Sequence, residues 1–536
     1  MHWHHIYETF WITFALGGSI FVHEFGHYWA AKRCGLWVPR FSIGFGPKLF
    51  SWRAKDTRFQ IALIPLGGYV ALPQLGDQET GEGAWDPPSE DIAAKIPTFG
   101  RRIGILSAGV IFNMLFALCI ACILWAVGIP TPQNDRTVTV GAIPHATGSM
   151  RNPLAFSELS VGDQILSVDG VALQKFSQLP QLIAFGTRHM DDGQPSADLQ
   201  IRRGDDVFHL EIPVSPPLKG ENRLRHIAIF SAGELSVETV LENSPAQRVG
   251  IRPGDQILAV DGRKLFSPIA LDEYLQKTSD EVNLTLSREG RALQIFVQPQ
   301  PLIVQKSHMR GIWKKYPITL IEGDASNWMA LNGPKGIRNC QFSSDELAAN
   351  FSQIQHIPPV THRVLGITFS NPQVLTHPNP FRLFSADARA AWRMLCSLAN
   401  RHSDVGAKNL IGFFGMGRLL HHFVQSDLRL ALAFIVSLNI GIAFLNLLPI
   451  PGLDGGLIFF AIVEKIIHRP LPKRLVNFAQ GLCIFLLFLL LIYVCVFDVL
   501  RWRGDANLRH LDALYPSPEF ATFLGTSAVP GEGTGR

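Results

Sequence analysis

Charge of one sign is what this chain most plainly lacks. Its 48 Lys and Arg residues stand against 44 Asp and Glu, leaving +4 over 536 residues. That balance argues against nucleic acid as the main partner, because binding a phosphate backbone needs concentrated basic charge. Cysteine is scarce too: Cys34, Cys119, Cys122, Cys340, Cys396, Cys483 and Cys495 make seven, and four of them lie in apolar runs. A disulfide framework is thereby excluded. Cys119 and Cys122 form a C-x-x-C, but its apolar surroundings fit packing rather than redox or metal chemistry. Residues 1–31 hold no Lys or Arg. Without a basic leader or a small-residue cleavage site, the first apolar run does not read as a signal peptide.

What the chain has is apolar residues, 47% of the total, and they cluster. Four runs, near 6–30, 103–129, 429–450 and 475–500, approach or exceed the ~20 residues that cross a bilayer. Lys and Arg set their orientation. The loop 32–102 holds ten, among them Lys32, Arg33, Arg40, Arg53, Lys55, Arg58, Arg101 and Arg102; the loop 451–474 holds Lys465, Arg469, Lys473 and Arg474. Both loops are expected on the cytoplasmic side, and the N-terminus, residues 130–428 and the C-terminus outside. The first and third spans then both run inward.

An internal repeat lies in the outer region. "LSVGDQILSVDGVAL" (159–173) parallels "IRPGDQILAVDGRKL" (251–265), aligning Gly162, Asp163, Asp169 and Gly170 with Gly254, Asp255, Asp261 and Gly262. Each copy reads as a Gly-Asp turn, an alternating apolar strand and an Asp-Gly turn into a second strand. "VLENSPAQRVG" (240–250) precedes the second copy, an arrangement that resembles bacterial PDZ domains; the first copy lacks the S-P-A. A generic β-rich repeat is the plainer alternative. Two PDZ domains in tandem point to handling of a polypeptide, since such domains bind extended peptides at a sheet edge. The Asp-Gly pairs are expected in turns, not in catalysis. Further on, "LFSADARAAWRMLCSLANR" (383–401) gathers Phe384, Ala388, Ala391, Trp392, Leu395 and Leu398 near one helical face. It reads either as an amphipathic helix on the outer membrane surface or as an ordinary core helix.

The chemistry sits in "SIFVHEFGHYWAAK" (19–32). His23 and His27 are four residues apart, so on a helix they share a face and can hold one metal ion. Glu24 is placed beside the first of them to take a proton from an attacking water. Ionisable groups in a membrane span are costly and therefore functional by default. A catalytic zinc needs a third protein ligand. "NLLPIPGLDGG" (446–456) offers Asp454 as its only ionisable group, with Pro449, Pro451, Gly452, Gly455 and Gly456 breaking the helix. Irregular backbone at membrane depth is tolerated only where it lines a cavity; the alternative is a solvent-facing turn aspartate. The shared inward direction of the two spans brings His23, His27 and Asp454 to the same side. Asn439 and Asn446, two turns apart, serve either substrate backbone and oxyanion or helix packing. In the cytoplasmic loop, "FSIGFGPKLFSW" (41–52), with Gly44 and Gly46, and "RFQIALIPLGGYVAL" (58–72), with Gly67 and Gly68, read as two strands. They form either a small soluble hairpin or one that re-enters the membrane and holds substrate extended along its edge.

H-E-F-G-H in a first span, the G-F-G loop, "ALIPLGGYV", the tandem repeats and the late N-x-x-P-x-P-x-L-D-G together resemble the site-2 protease family (peptidase family M50), and within it the zinc metalloproteases that regulate the sigma-E stress response. The resemblance covers most of residues 1–300 and 365–500. It implies Zn2+ held by His23, His27 and Asp454, with Glu24 as the catalytic glutamate and Asn446 in substrate handling; "SAGVIFNMLFA" (107–117) resembles the second span, with Asn113 in its usual place. It further implies a bacterial inner-membrane enzyme that cleaves single-span transmembrane proteins, such as a trimmed anti-sigma factor, or signal-peptide remnants. The rival reading is a membrane-anchored PDZ scaffold or chaperone with a vestigial metal site. Val110 stands where the family usually has proline, "NLIG" (409–412) lacks a following proline, and Leu457 replaces a basic or histidine residue after L-D-G-G. None of these removes a ligand.

The expected architecture is therefore a polytopic α-helical membrane protein with four transmembrane helices, a membrane-associated β-hairpin and two extracytoplasmic PDZ-like α+β domains. Its parts are a first span with H-E-x-x-H (1–32), a cytoplasmic loop with the hairpin (33–100), a second span (101–129), PDZ-like domains (130–230 and 231–302), an insertion (303–365), a linker with the amphipathic helix (366–428), a third span with the L-D-G motif (429–456), a cytoplasmic loop (457–474), a fourth span (475–501) and a flexible tail (502–536).

Overall fold

The fold comes from a computed structural model, which describes residues 2–75, 97–144, 157–214, 225–278, 280–307, 360–400 and 410–512, with shorter stretches at 146–147, 150–151, 154, 318–323, 326–333, 336–341, 403 and 405–406. Residues 1–130, 375–401 and 406–499 make one compact unit; residues 131–374, 402–405 and 500–536 make a second.

The first unit is helical around one small sheet. Helix α1 (His2–Arg33) runs unbroken through H-E-x-x-H and closes on Lys32 and Arg33, cations that complement the C-terminal end of the helix dipole. Helix α2 (Phe99–Val127) stops at Gly128, whose φ of 77° suits a residue without a side chain. After the second unit's chain come α3 (Pro380–Ala399), α4 (Phe413–Ser426), α5 (Leu428–Asn446), α6 (Asp454–Ile467) and α7 (Lys473–Asp512). Asn379 caps α3 by accepting from the amides of Phe381 and Arg382, and Asp427 caps α5 by accepting from that of Arg429. Ala15, Ala117, Ile120, Leu124, Leu420, Ile435 and Ile440 form a core joining α1, α2, α4 and α5.

Among the described residues, three helices are long and apolar enough to cross a membrane: α2, α5 and the Lys473–Leu500 part of α7. The fourth expected span, α1, is not in that set; His23, Glu24 and His27 dilute its apolar run. Phe478, Ile484, Phe485, Leu486 and Phe488 stand exposed on α7, a surface that water does not favour. The tail expected to be irregular from residue 502 continues α7 as helix to Asp512; residues 513–536 lie outside the described residues. Helix α3 is packed on one side and apolar on its exposed side as well. Leu383, Phe384, Ala388 and Ala391 pack on the helical core, while Phe381 and Trp392 remain 69% and 57% exposed.

The sheet is a long, bent hairpin of β1 (Arg40–Ala54) and β2 (Thr57–Val70). Gly44 and Gly46, both at φ 86°, let β1 bend. Phe59 pairs with Trp52 on one side and Phe41 on the other, and the end of β2 folds back so that Gly68 pairs with Ile43 and Val70 with Phe41. Gly68–Val70 is thus an outer strand, and no further strand pairs with it among the described residues. Leu49, Phe50, Trp52 and Leu63 are exposed apolar side chains on this hairpin.

In the second unit the two sequence repeats fold alike. In the first copy the sheet order is Asp206–Pro213, Ser196–Arg203, Gln164–Val168, Val171–Ala172; in the second it is Arg291–Val297, Val282–Arg288, Gln256–Val260, Arg263–Lys264. Asp169 and Asp261 take φ of 48° and 46° ahead of Gly170 and Gly262, both at 75°, so the Asp-Gly pairs sit in left-handed turns. Each copy buries an aspartate under an arginine fork: Arg203 Nε donates to Asp163 and Arg288 Nε to Asp255, both at 2.7 Å. Each also has a short strand closed by a later one: Val140–Ala142 pairs with Phe230–Ser231, and Val237–Val240 with Ile367–Phe369. The second closing strand lies in the stretch expected to be linker, beyond the insertion. Starting just before that insertion and running through it, Gly336–Gln341, Ser326–Gly333, Ile318–Gly323, Gln300–Ser307 and Val360–Val364 make one antiparallel sheet in that order.

Candidate metal centre

The site is built where α1 and α2 touch backbone to backbone. A Cβ on Gly26 of α1 would lie 2.8 Å from the Ala108 carbonyl carbon of α2. A Cβ on Gly109 would lie 2.7 Å from His23 Cε1 and closer still to His27 Nε2. Two glycines thus let the helices close until both imidazoles abut the backbone of α2. His23, Glu24 and His27 are all buried there.

The third group arrives from the broken end of α5. Gly452, at φ 102°, turns the chain, and α6 begins at Asp454. A Cβ on Gly455 would strike the Leu447 and Leu448 carbonyls, and one on Gly456 the Ile450 carbonyl. Only glycine at both positions lets the loop fold back over the start of α6. Asp454 Oδ2 then lies 3.1 Å from His23 Nε2 and 3.3 Å from His27 Nε2, and the two Nε2 atoms are 3.3 Å apart.

The donor set fits a zinc ion. His27 Nδ1 is 2.9 Å from the Ile105 carbonyl oxygen, which only accepts, so Nδ1 carries the ring proton and Nε2 offers a lone pair. Asp454 Oδ2 is buried and accepts no hydrogen bond. Lone pairs facing one another across such distances repel unless a cation lies among them. One ligand atom from each of His23, His27 and Asp454 falls within 4.8 Å of the others. Two imidazoles and one carboxylate leave a fourth tetrahedral position for water or substrate, the pattern of catalytic rather than structural zinc.

Around this cluster the other expected residues separate. Gly68, on the outer strand, abuts Glu24: a Cβ there would lie 2.8 Å from Glu24 Cγ. Gly67 precedes it on the same strand, whereas Gly44 and Gly46 shape the bend of β1. Asn446 Nδ2 is 3.3 Å from His23 Nε2, at the cluster. Asn439 is fully buried one level away; its Nδ2 donates at 2.9 Å to both Ser19 Oγ and the Ile435 carbonyl, which ties α5 to α1. These two bonds join helix to helix, as the packing alternative requires, while its Oδ1 is buried without a hydrogen-bond partner.

Two other contributors carry no side-chain chemistry of their own. Ile105 acts through its carbonyl, and Gly109 through the side chain it lacks. Arg102 Nη1 donates at 2.6 Å to Glu464 Oε2, fixing α6 against the start of α2. Residues 105, 109 and 113 are one turn apart, which places Ile105, Gly109 and Asn113 on one face of α2.

Comparison with known proteins is consistent along the chain. The profile of peptidase family M50 matches residues 11–490. The regulator of sigma-E protease RseP of Escherichia coli (strain K12) is similar at 27% identity over 504 residues, covering 89% of this chain and 95% of that protein. The protein of the same name from Salmonella typhimurium is 26% identical over 490 residues, with the same coverage. A Xylella fastidiosa protein provisionally named a zinc metalloprotease is 25% identical over 480 residues, covering 87% of this chain and 93% of the relative.

Proposed function

The chain belongs to peptidase family M50, and we propose that it is a zinc endopeptidase that cleaves the transmembrane segments of single-span proteins inside a bacterial inner membrane. The convergence of His23, His27 and Asp454 beside buried Glu24 carries this reading. Its substrates are transmembrane proteins already trimmed outside, such as an anti-sigma factor, or signal-peptide remnants; the sigma-E regulators among its relatives support that choice. Helix α1 is the fourth span, running inward like α5, and the two repeats are PDZ-like domains on the outer side that admit or hold the trimmed substrate.

A bound zinc ion supplies Lewis acidity to the scissile carbonyl. The rest falls to this chain's own side chains. Glu24 takes a proton from the attacking water and passes it to the leaving amine. A helical peptide bond is shielded by its own hydrogen bonds, so the substrate must be extended first. The outer strand Gly68–Val70 offers backbone partners for that, and bare Gly68 leaves room beside Glu24 for a peptide backbone. The exposed Leu49, Phe50, Trp52 and Leu63 suit a hairpin that dips into lipid. Asn446, beside His23, is placed to donate to substrate or to a developing oxyanion.

The test compares the purified chain with Glu24→Gln on a transmembrane reporter, with zinc measured in both. The expectation is about one zinc per chain in each, and cleavage only by the wild type. Zinc-loaded wild type that cleaves no faster than Glu24→Gln would return the chain to the scaffold reading.

A further inference from the structure

Helix α2 faces the two histidines with three residues one turn apart, and two of them have clear tasks. Ile105 accepts the Nδ1 proton of His27, and Gly109 makes room for both rings. The third, Asn113, is fully buried, and its amide nitrogen is placed 3.4 Å from His23 Nδ1. In that placement its Oδ1 is buried without any hydrogen-bond partner.

The placement conflicts with the chemistry of the ring. Neutral imidazole carries one proton. His23 Nε2 faces Asp454 Oδ2 and the lone pair of His27 Nε2, so as a metal ligand it must be the unprotonated nitrogen. The proton then belongs on Nδ1, where an amide N–H opposite it is a clash of two donors. Turning the amide about its last bond exchanges oxygen and nitrogen without changing the shape of the side chain. It brings the orphaned Oδ1 onto His23 Nδ1–H.

We propose that Asn113 is a positioning residue for zinc: its Oδ1 accepts the His23 Nδ1 proton and so fixes the tautomer and ring angle that present Nε2 to the metal. This rests on His23, His27 and Asp454 being the zinc ligands. Helix α2 then holds both histidines from behind, one through a backbone carbonyl and one through a side-chain amide. Partners of this kind typically change metal affinity by 10–100-fold when removed.

The test is zinc affinity by chelator competition on the full-length protein in detergent, for wild type, Asn113→Leu, Asn113→Ala and Asn113→Asp. Asn113→Leu matches the size of the amide but accepts nothing, so zinc binding weakens by about 10–100-fold. Asn113→Asp keeps an acceptor at the same place and binds within a few-fold of wild type. A residue that only packs predicts the reverse order: leucine tolerated in an apolar bundle and a buried carboxylate harmful. Observation of that order, or of equal affinities in all variants, overturns the proposal. Should Asn113→Leu fail to accumulate, Asn113→Ala carries the same prediction. Wild type that holds no zinc overturns the ligand assignment itself, a result distinct from wild type that holds zinc with variants alike.

Discussion

Gly109→Ala is a sharp perturbation of this site because it removes no functional group. The added methyl would lie 2.7 Å from His23 Cε1 and 2.9 Å from His23 Nδ1, and nearer still to His27 Nε2. Carbon and nitrogen atoms do not settle at such separations, so either α2 backs away from α1 or both rings rotate. Overpacking of a tight interior costs about 1–3 kcal/mol, and every ~1.4 kcal/mol is tenfold in affinity. If the strain falls on the ring positions, zinc binding weakens by ~5–150-fold. Alanine is the better helix former by ~1 kcal/mol, so loss of helix propensity cannot explain such an effect.

Gly104→Ala supplies the control. It lies on the same helix, gains the same propensity, and has nothing within 4 Å of its added Cβ. The assay is chelator competition for zinc alongside cleavage of a transmembrane reporter. Gly104→Ala should match wild type in both, while Gly109→Ala loses zinc affinity and cleavage together. If the two variants bind zinc within about two-fold of one another, a gap far below one factor of ten, the close approach of α2 to the imidazoles is refuted.

Three further outcomes follow from other contacts. Arg102→Ala and Glu464→Ala should each lower the thermal midpoint of the zinc-free protein, and the double variant should lose less than their sum, since the pair at 2.6 Å breaks only once; strict additivity would mean that this bridge does not couple α2 to α6. Asn439→Leu should lower the midpoint by a few degrees and leave KM for the reporter unchanged, because its amide nitrogen is spent on Ser19 and Ile435; a raised KM at unchanged stability would make Asn439 a substrate contact instead. In the second repeat, the hydrogen bonds from Arg288 hold the Asp255 carboxyl below the ordinary carboxylate value of 3.8. A carboxyl whose folded pKa is depressed stabilises the fold above its unfolded pKa, and that stabilisation is lost as pH falls below about 4 through the folded value. Asp255→Asn should therefore lower the midpoint at pH 7, with the gap to wild type closing on acidification; a gap that does not change with pH would show that the charge contributes nothing.

What could be read from the sequence is what repeats or recurs at short range. His23 and His27 declare a shared helical face by spacing alone, and the two Gly-Asp/Asp-Gly frames declare two like folds because each turn is made by adjacent residues. The closing strand Ile367–Phe369 escaped that logic: about seventy residues of sequence separate it from Arg291–Val297, so no local pattern ties it to Val237–Val240. Helix α1 marks the opposite limit. The groups proposed as ligands and base also lower its apolar character, so hydropathy weakens at the candidate site itself.

The metal centre shows the same division at the scale of single atoms. His23, His27 and Asp454 are legible as candidate ligands because zinc chemistry admits few side-chain types. Ile105 and Gly109 are not, because one acts through a carbonyl that every residue has and the other through a missing Cβ. Both become visible only when α2 is laid against α1. There the carbonyl of Ile105 and the bare surface of Gly109 meet His27 at one end and His23 at the other. Asn113 falls between the two kinds. Its residue type is conspicuous in an apolar helix, but its task depends on which amide atom faces His23, and only the orphaned oxygen beside that ring points to it. The site therefore draws on three helices: α1 carries the two histidines, α6 begins at Asp454, and α2 shapes the surface against which the imidazoles lie.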